Sequence, residues 1–310
     1  MSLTFAARVS AAVFLGSGIV AAIAGSAAAQ TSSARYWKPV EDALGRKGTV
    51  NPDAVRKFSF PRADLSVVVD GVTLRPALAL GSWVAFKRIG DHVMVMGDLV
   101  LLDDEVAPVM GSLQENGVEQ TALHNHLLNE APHVMYMHIR AIGNAERIAK
   151  AVRAALEVTG TPLGPPTTTA APTISTTAIA NDLDTAAIAR IIGVRGKTNG
   201  GVYQLSIPRR EKIKEDKMEI PSSMGLATAI NFQSTGPGKA AITGDFVLLG
   251  REVNQVIWAL SENGIAVTAI HSHMIVENPR LFFMHFWAND DVQKLARGLR
   301  AALDRTRRRR

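Results

Sequence analysis

A duplication constrains this chain more than any other feature. Residues 97–141 lie on residues 244–288 without a gap, at an offset of 147, and 21 of those 45 positions are identical. Self-similarity on this scale means two copies of one structural unit, so a fold proposed for one half must serve the other. The likeness extends upstream, where Phe58-Ser59-Phe60-Pro61-Arg62 answers Leu205-Ser206-Ile207-Pro208-Arg209, and Gly45-Arg46-Lys47-Gly48 has a looser echo in Gly193-Val194-Arg195-Gly196. The two units therefore span about residues 36–160 and 181–306. Between them, 161–180 is rich in Thr, Pro and Ala, can bury little, and reads as a linker.

Within each unit the hydrophobic period switches repeatedly. Stretches 66–69, 83–88 and 92–102 are β-branched or alternating and read as strands. A helix is predicted over 104–116, with Val106, Val109, Met110 and Leu113 on one face and Gly117 as its stop; the copy has Val253, Val256, Ile257, Leu260 and Gly264. Two strands follow at 118–127 and 134–141, joined at a proline loop, and a last helix at 145–158 turns Ile148, Val152 and Leu156 inward. Strands, helix, two strands, helix is an α+β layered unit with its helices against one sheet face. Duplication adds a second such unit about a pseudo-two-fold axis, with a shared interface.

The histidines fall on the repeat. Both copies read His-x-His-x3-Glu-x-Pro followed by a third His, which sets His124, His126, Glu130 and His138 against His271, His273, Glu277 and His285. Alternate strand residues share a face, so His124 and His126 point the same way with Cα atoms about 6.6 Å apart, within reach of one metal ion. A hairpin centred on Pro132 sets His126 across from His138, and one centred on Pro279 sets His273 across from His285. Three imidazoles then converge in each half, with Glu130 or Glu277 near enough in sequence to ligate, orient or act as general base. That register also places Arg140 opposite His124, where it can hold an anion, and turns Thr121 and Thr268 away from the histidines. Glu105 and Glu252 read as helix-opening acids, and Asp98 and Asp245 as residues of a bulge or a buried hydrogen bond. The chain has no cysteine, so nitrogen and carboxylate are its main side-chain ligands for a divalent transition metal. Zinc suits them best, with iron, manganese and copper as alternatives.

The first 29 residues carry a single charge, Arg8, ahead of an apolar run that ends in Ser26-Ala27-Ala28-Ala29, the pattern of a signal peptide cut after Ala29. The expected destination is the periplasm or the exterior, without a stable membrane anchor. Net charge is +6, falling to +5 without Arg8 and to +1 without the basic tail Arg307 to Arg310. The folded body is nearly neutral, which argues against nucleic acid and leaves the tail as the only part suited to anionic surfaces. With 47% apolar and 20% charged residues the chain is globular.

The histidine spacing resembles the first motif of cupins, and a strand-borne triad resembles that of carbonic anhydrases, but helices between the strands fit neither fold. The stretches GDLVLLDDEV, TALHNHLLNEAPHVMYMHI and GDFVLLGREVN resemble a bacterial family of exported proteins of unknown function that includes the mycobacterial lipoproteins LppY and LpqO. This chain departs from them in lacking a lipobox cysteine. Three functions compete: a metal-dependent hydrolase or lyase, a non-catalytic binder of metal or of a small or envelope-derived ligand, and a structural envelope protein. The usual Gly-rich phosphate loop and the Gly-x-Ser-x-Gly elbow are absent from the sequence.

Overall fold

The structure is a computed structural model that describes residues 34–164 and 183–308. The expected signal segment, most of the expected linker and the last two arginines lie outside the described residues.

The first half opens with helix α1 (34–44), then β1 (Thr49–Val50), β2 (Val55–Pro61), a small hairpin β3 (Val68–Val69) and β4 (Val72–Thr73), and a short helix α2 (Pro76–Ala79). It continues as β5 (Gly81–Ile89), β6 (His92–Leu102), α3 (Asp103–Glu115), β7 (Glu119–His124), β8 (Val134–Gly143) and α4 (Ala145–Glu157). The second half repeats the plan as α5 (Thr185–Ile192), β9 (Lys197–Asn199), β10 (Val202–Pro208), a hairpin β11 (Lys214–Glu215) and β12 (Met218–Glu219), and a 3-10 turn at Ser222–Met224. There follow β13 (Ala227–Gly236), β14 (Lys239–Leu249), α6 (Gly250–Glu262), β15 (Ala266–His271), β16 (Leu281–Asp291) and α7 (Val292–Leu303). The six-stranded sheets run β1-β2-β5-β6-β8-β7 and β15-β16-β14-β13-β10-β9, and every pairing is antiparallel. The α+β duplication expected from the sequence is the fold observed. Helix α1 and strand β2, with their copies α5 and β10, are additions to it.

Side-chain parity explains the layering. On β6, Val93, Val95, Leu99 and Leu101 pack against α3 and α4, while Met94 and Met96 face the other half. On β14, Ile242, Phe246 and Leu248 meet their own helices, while Val247 and Leu249 turn inward. Each central strand is apolar on both faces because both are covered: helices on one side, the other sheet on the other. Helix, sheet, sheet, helix is the resulting order, and the inter-sheet layer holds mixed clusters such as Met96 with Phe283 and Val100 with Trp287.

Hairpins bolt the halves together. Arg140, expected to face His124, instead lies opposite Glu119 and forms ion pairs with Glu119, with the fully buried Glu215 and with Asp216 on the second half's small hairpin. Its counterpart Trp287 donates its indole N–H to Asp70 on the first half's hairpin at 2.8 Å. The anion-holding role read for Arg140 thus gives way to a structural one. Each hairpin also anchors a histidine loop, through reciprocal backbone bonds of Val68 with Ala131 and of Lys214 with Asn278.

The repeated Pro-Arg of β2 and β10 finds a partner in the repeated helix acids. Arg62, wholly buried, donates to Glu105 at 2.6 and 3.1 Å and to the Val100 carbonyl at 2.8 Å. Arg209 does the same with Glu252 at 2.8 and 3.1 Å. Burial raises these carboxyls, but the guanidinium and backbone N–H bonds outweigh it and hold them below the ordinary range. Removing one partner strands a buried charge, so Glu105→Ala is expected to cost about 3–5 kcal/mol. Cutting the exposed Lys150–Glu146 pair is expected to cost under about 1 kcal/mol. Urea unfolding of both variants checks the contrast.

Candidate metal centre

Strands β8 and β16 place His138 and His285 on the inner sheet faces, 4% and 2% exposed. The hairpin register differs from the one expected. His124 faces Tyr136 and Ala122 faces His138, so the turn centres two residues before Pro132; in the copy, His271 faces Phe283 and Ala269 faces His285. The physical reason is a loop over 125–133 that is not symmetric about its proline, with Asn129 in the left-handed region at φ 58. Strand β7 ends at His124, and His126 lies beyond it. A register shift between Gln120 and Ala122, repeated between Val267 and Ala269, also breaks the parity assumed for the threonines. Thr268 accordingly donates its hydroxyl to the His126 carbonyl across the interface.

These shifts carry the histidines into one place. His126 stacks on Tyr136 with centroids 3.2 Å apart, and its counterpart His273 stacks on Phe283 at 3.5 Å. Across the interface His124 lies over His271 at 3.6 Å, His138 over His273 at 3.6 Å, and His126 over His285 at 3.7 Å. Exchanging the halves maps the second contact onto the third and the first onto itself, as a two-fold requires. The sequence suggested a triad in each half; the six rings form a single cluster on the pseudo-axis.

Ligand nitrogens of His124, His271, His273 and His285 all lie within 4.8 Å of one another. His124 Nδ1 donates to the Asn125 carbonyl at 3.0 Å and His285 Nδ1 to the Gly244 carbonyl at 2.9 Å, the tautomer that leaves Nε2 with a free lone pair. The Nε2 atoms of His124, His126, His138 and His285, and Nδ1 of His271, are buried without a hydrogen-bond partner among the described residues. Two nitrogens do meet, Nε2 of His271 and of His273, at 2.9 Å. Tetrahedral zinc needs about 3.3 Å between such atoms, so this pair would part by a few tenths of an ångström and the wider-spaced nitrogens of the set would draw together around an ion. Burial, reinforced by mutual repulsion, keeps the rings neutral. His124 is pushed down to about 4 and His285 to about 3, and the other four also lie well below the ordinary imidazole value. Neutral imidazole is the form that ligates metal.

Asp98 and Asp245 belong to this cluster, which the sequence reading missed. Asp245 Oδ2 lies 3.5 Å from His273 Nε2, and Asp98 Oδ1 lies 3.9 Å from His138 Nε2. Neither sits at a bulge. The preceding glycines are required because a Cβ at Gly97 would come within 2.8 Å of the Trp83 carbonyl, and one at Gly244 within 2.0 Å of the Ala229 carbonyl. Burial pushes Asp98 up to about 7 and raises Asp245 strongly, with Asp98 adding to the latter shift. Strand parity with His138 and His285 across β6–β8 and β14–β16 was the signal available for both. Glu130 and Glu277 turn to their own loops, accepting from the amides of Val134 at 3.2 Å and Leu281 at 2.9 Å. Burial raises Glu130 to about 7.

A cleft of about 1740 Å³ opens between the halves, with Asp98, Asp245, His126, His138, His273 and His285 in its wall. The arrangement defines a duplicated two-sheet protein with a buried histidine cluster that could hold a metal ion, shared by both halves and reached from one cleft. The chain belongs to the family described as "DUF1529: Domain of Unknown Function (DUF1259)", whose model matches residues 38–158 and again 186–305. No curated protein matches it. Among solved structures, the chain is similar to EtuB from Clostridium kluyveri and to PduB, a trimeric bacterial microcompartment shell protein. Identity is 10% in each case over 84% of this chain, covering 89% and 91% of theirs, at a TM-score of 0.21. A likeness of that size carries no argument. No helix among the described residues is long and apolar enough to cross a membrane.

The pKa directions set a pH dependence for the metal-free protein. Each of the six cluster histidines is depressed in the folded state, so its contribution to stability is complete above about 6.5 and is lost as pH falls toward about 4 for His124 and about 3 for His285. Asp98 and Glu130 run the other way, their contribution complete below the ordinary carboxylate range and lost as pH rises toward about 7. Removing two rings therefore leaves less to lose on acidification. The melting temperature of chelated protein is expected to fall between pH 6.5 and pH 4, and by several degrees less in a His126→Gln, His273→Gln variant. Calorimetry at the two pH values checks it, and equal falls would contradict the assignment.

Proposed function

We propose that this is an exported metal-binding protein whose two halves jointly hold one divalent transition metal, zinc foremost, between His124, His271, His273 and His285. The observation that carries the reading is the set of partnerless imidazole nitrogens converging from both halves within 4.8 Å. A buried polar atom without a partner costs about 1–3 kcal/mol, and a cluster of them is retained where something binds it. Iron, manganese or copper would suit the same nitrogens, and none of the readings requires nucleic acid.

Within that reading the cleft favours a metal-dependent hydrolase or lyase acting on a small or envelope-derived molecule. Zinc supplies Lewis acidity and, where a coordination position is open, a water that ionises near neutral pH. Asp98, whose carboxyl burial pushes up in the metal-free protein, lies beside the centre where it can hold or release a proton as general acid or base. Glu130 and Glu277, the acids first expected in that role, act as positioning residues by tying down the loops that carry His126 and His273. A non-catalytic binder is the second reading, favoured by one feature: four imidazoles complete a tetrahedron and leave no open position. The signal-peptide pattern of residues 1–29 supports export to the periplasm or beyond, and the resemblance to the LppY and LpqO lipoproteins supports an envelope setting without their lipid anchor.

Elemental analysis of the mature protein, purified without a polyhistidine tag, is expected to find close to one equivalent of transition metal per chain. Changing His124 and His271 together to Gln is expected to reduce it at least tenfold, in line with the loss of two ligands. A metal-free preparation that cannot be reconstituted overturns the reading. Cobalt substitution then separates the two functions, because added azide shifts the visible spectrum only where a position is open.

A further inference from the structure

The duplication is broken in the cleft wall beside Asp98, and the break has chemical content. Strand β2 turns Lys57 and Ser59 into the cleft, and β5 sets Trp83 beside Asp98. The corresponding positions of the second half, read from the same ladder, are Gln204, Ser206 and Ala229 beside Asp245. One side of the pseudo-symmetric centre is therefore flanked by a cation and an indole, the other by an amide and a methyl. Gln204 is occupied, donating to the Ala77 carbonyl at 2.7 Å. Lys57 is not: its ammonium lies over the Trp83 ring at 3.8 Å, and no described residue accepts a hydrogen bond from it. Burial lowers its pKa, and the charge of Asp98 offsets only part of that.

An ammonium carries three donors, and a half-buried one that faces open volume with none of them used is prepared for an acceptor from outside. The lining adds exposed Lys47, Arg195 and Lys197, which outnumber the acids Glu41 and Asp42 there once Lys38 is paired with Asp42, and so bias the mouth toward anions. We infer that the cleft is the binding site of a small oxyanion-bearing ligand, a carboxylate or phosphate, whose charged group is taken by Lys57 and whose body lies along Trp83 toward the histidine centre. The inference deepens the functional reading above and rests on it only for the direction in which the rest of the ligand points. Lys57 remains cationic at neutral pH, since burial brings it down only to about 8.

The test uses succinate as probe, titrated calorimetrically into the full mature protein at low ionic strength, both as purified and after chelation. Lys57→Gln installs the residue the second half already carries at this position, so the fold and the metal content are expected to be unchanged. Binding to the wild type is expected at millimolar affinity or tighter, weaker by about tenfold or more in Lys57→Gln and restored in large part by Lys57→Arg. Gln204→Lys leaves Lys57 in place and is expected to bind at least as well as the wild type. Equal affinity of wild type and Lys57→Gln overturns the inference, as does failure of the wild type to bind at all. Metal content separates the two claims. Succinate binding that depends on Lys57 in protein unable to hold metal refutes the metal reading alone, and a stoichiometric metal with Lys57-independent binding refutes this one alone.

Discussion

Burying imidazole between two sheets is the constraint on which the rest of the structure depends. The inter-sheet layer is otherwise largely apolar, and a ring nitrogen buried there must find a partner in the protein or in a ligand. The fold meets this cost in part by having main-chain carbonyls of Asn125 and Gly244 take the Nδ1 protons of His124 and His285, and in part by stacking rings on one another and on Tyr136 and Phe283. What remains unpaid is directional: the free nitrogens and the Asp98 and Asp245 carboxyls are gathered at the pseudo-axis. The architecture around them is rigid by construction. Arg62 and Arg209 tie the ends of β2 and β10 to α3 and α6, and Arg140 and Trp287 clamp each sheet to the hairpin reaching over from the other half.

Duplication explains why the centre is shared and also how it departs from symmetry. A residue on the inner face of one sheet meets its counterpart across the two-fold, so a motif that supplies half a coordination shell is completed by its own copy. His124 and His271 show this in its simplest form, each lying over the other. Away from the axis the copies are free to diverge, and they do at Lys57 and Gln204, at Trp83 and Ala229, and at Arg140 and Trp287.

Much of this was legible in the sequence. Helix α3 was expected over 104–116 and runs over Asp103–Glu115, and α4 was expected over 145–158 and runs over Ala145–Glu157, because Gly117 and the apolar spacing state their ends clearly. The motif histidines pointed to one locality in each copy. Register was not legible: a loop of this length can turn about several points, and a bulge at Thr121 or Thr268 leaves no composition signal. Nor was the merging of two triads, although the apolar run of β6 on both faces required a second cover for each sheet. Asp98 and Asp245 were passed over because their glycines invited a bulge, when those glycines serve the close approach of the neighbouring strand.

The central claim is that ligands from both halves meet at one ion. Anomalous diffraction from crystals of the metal-loaded protein, recorded at the absorption edge of the bound metal, tests it most directly. The account predicts a single peak within about 2.2 Å of imidazole nitrogens from His124 and from the second-half histidines together. Two peaks, each held by the histidines of one half alone, or none at the pseudo-axis, would contradict it.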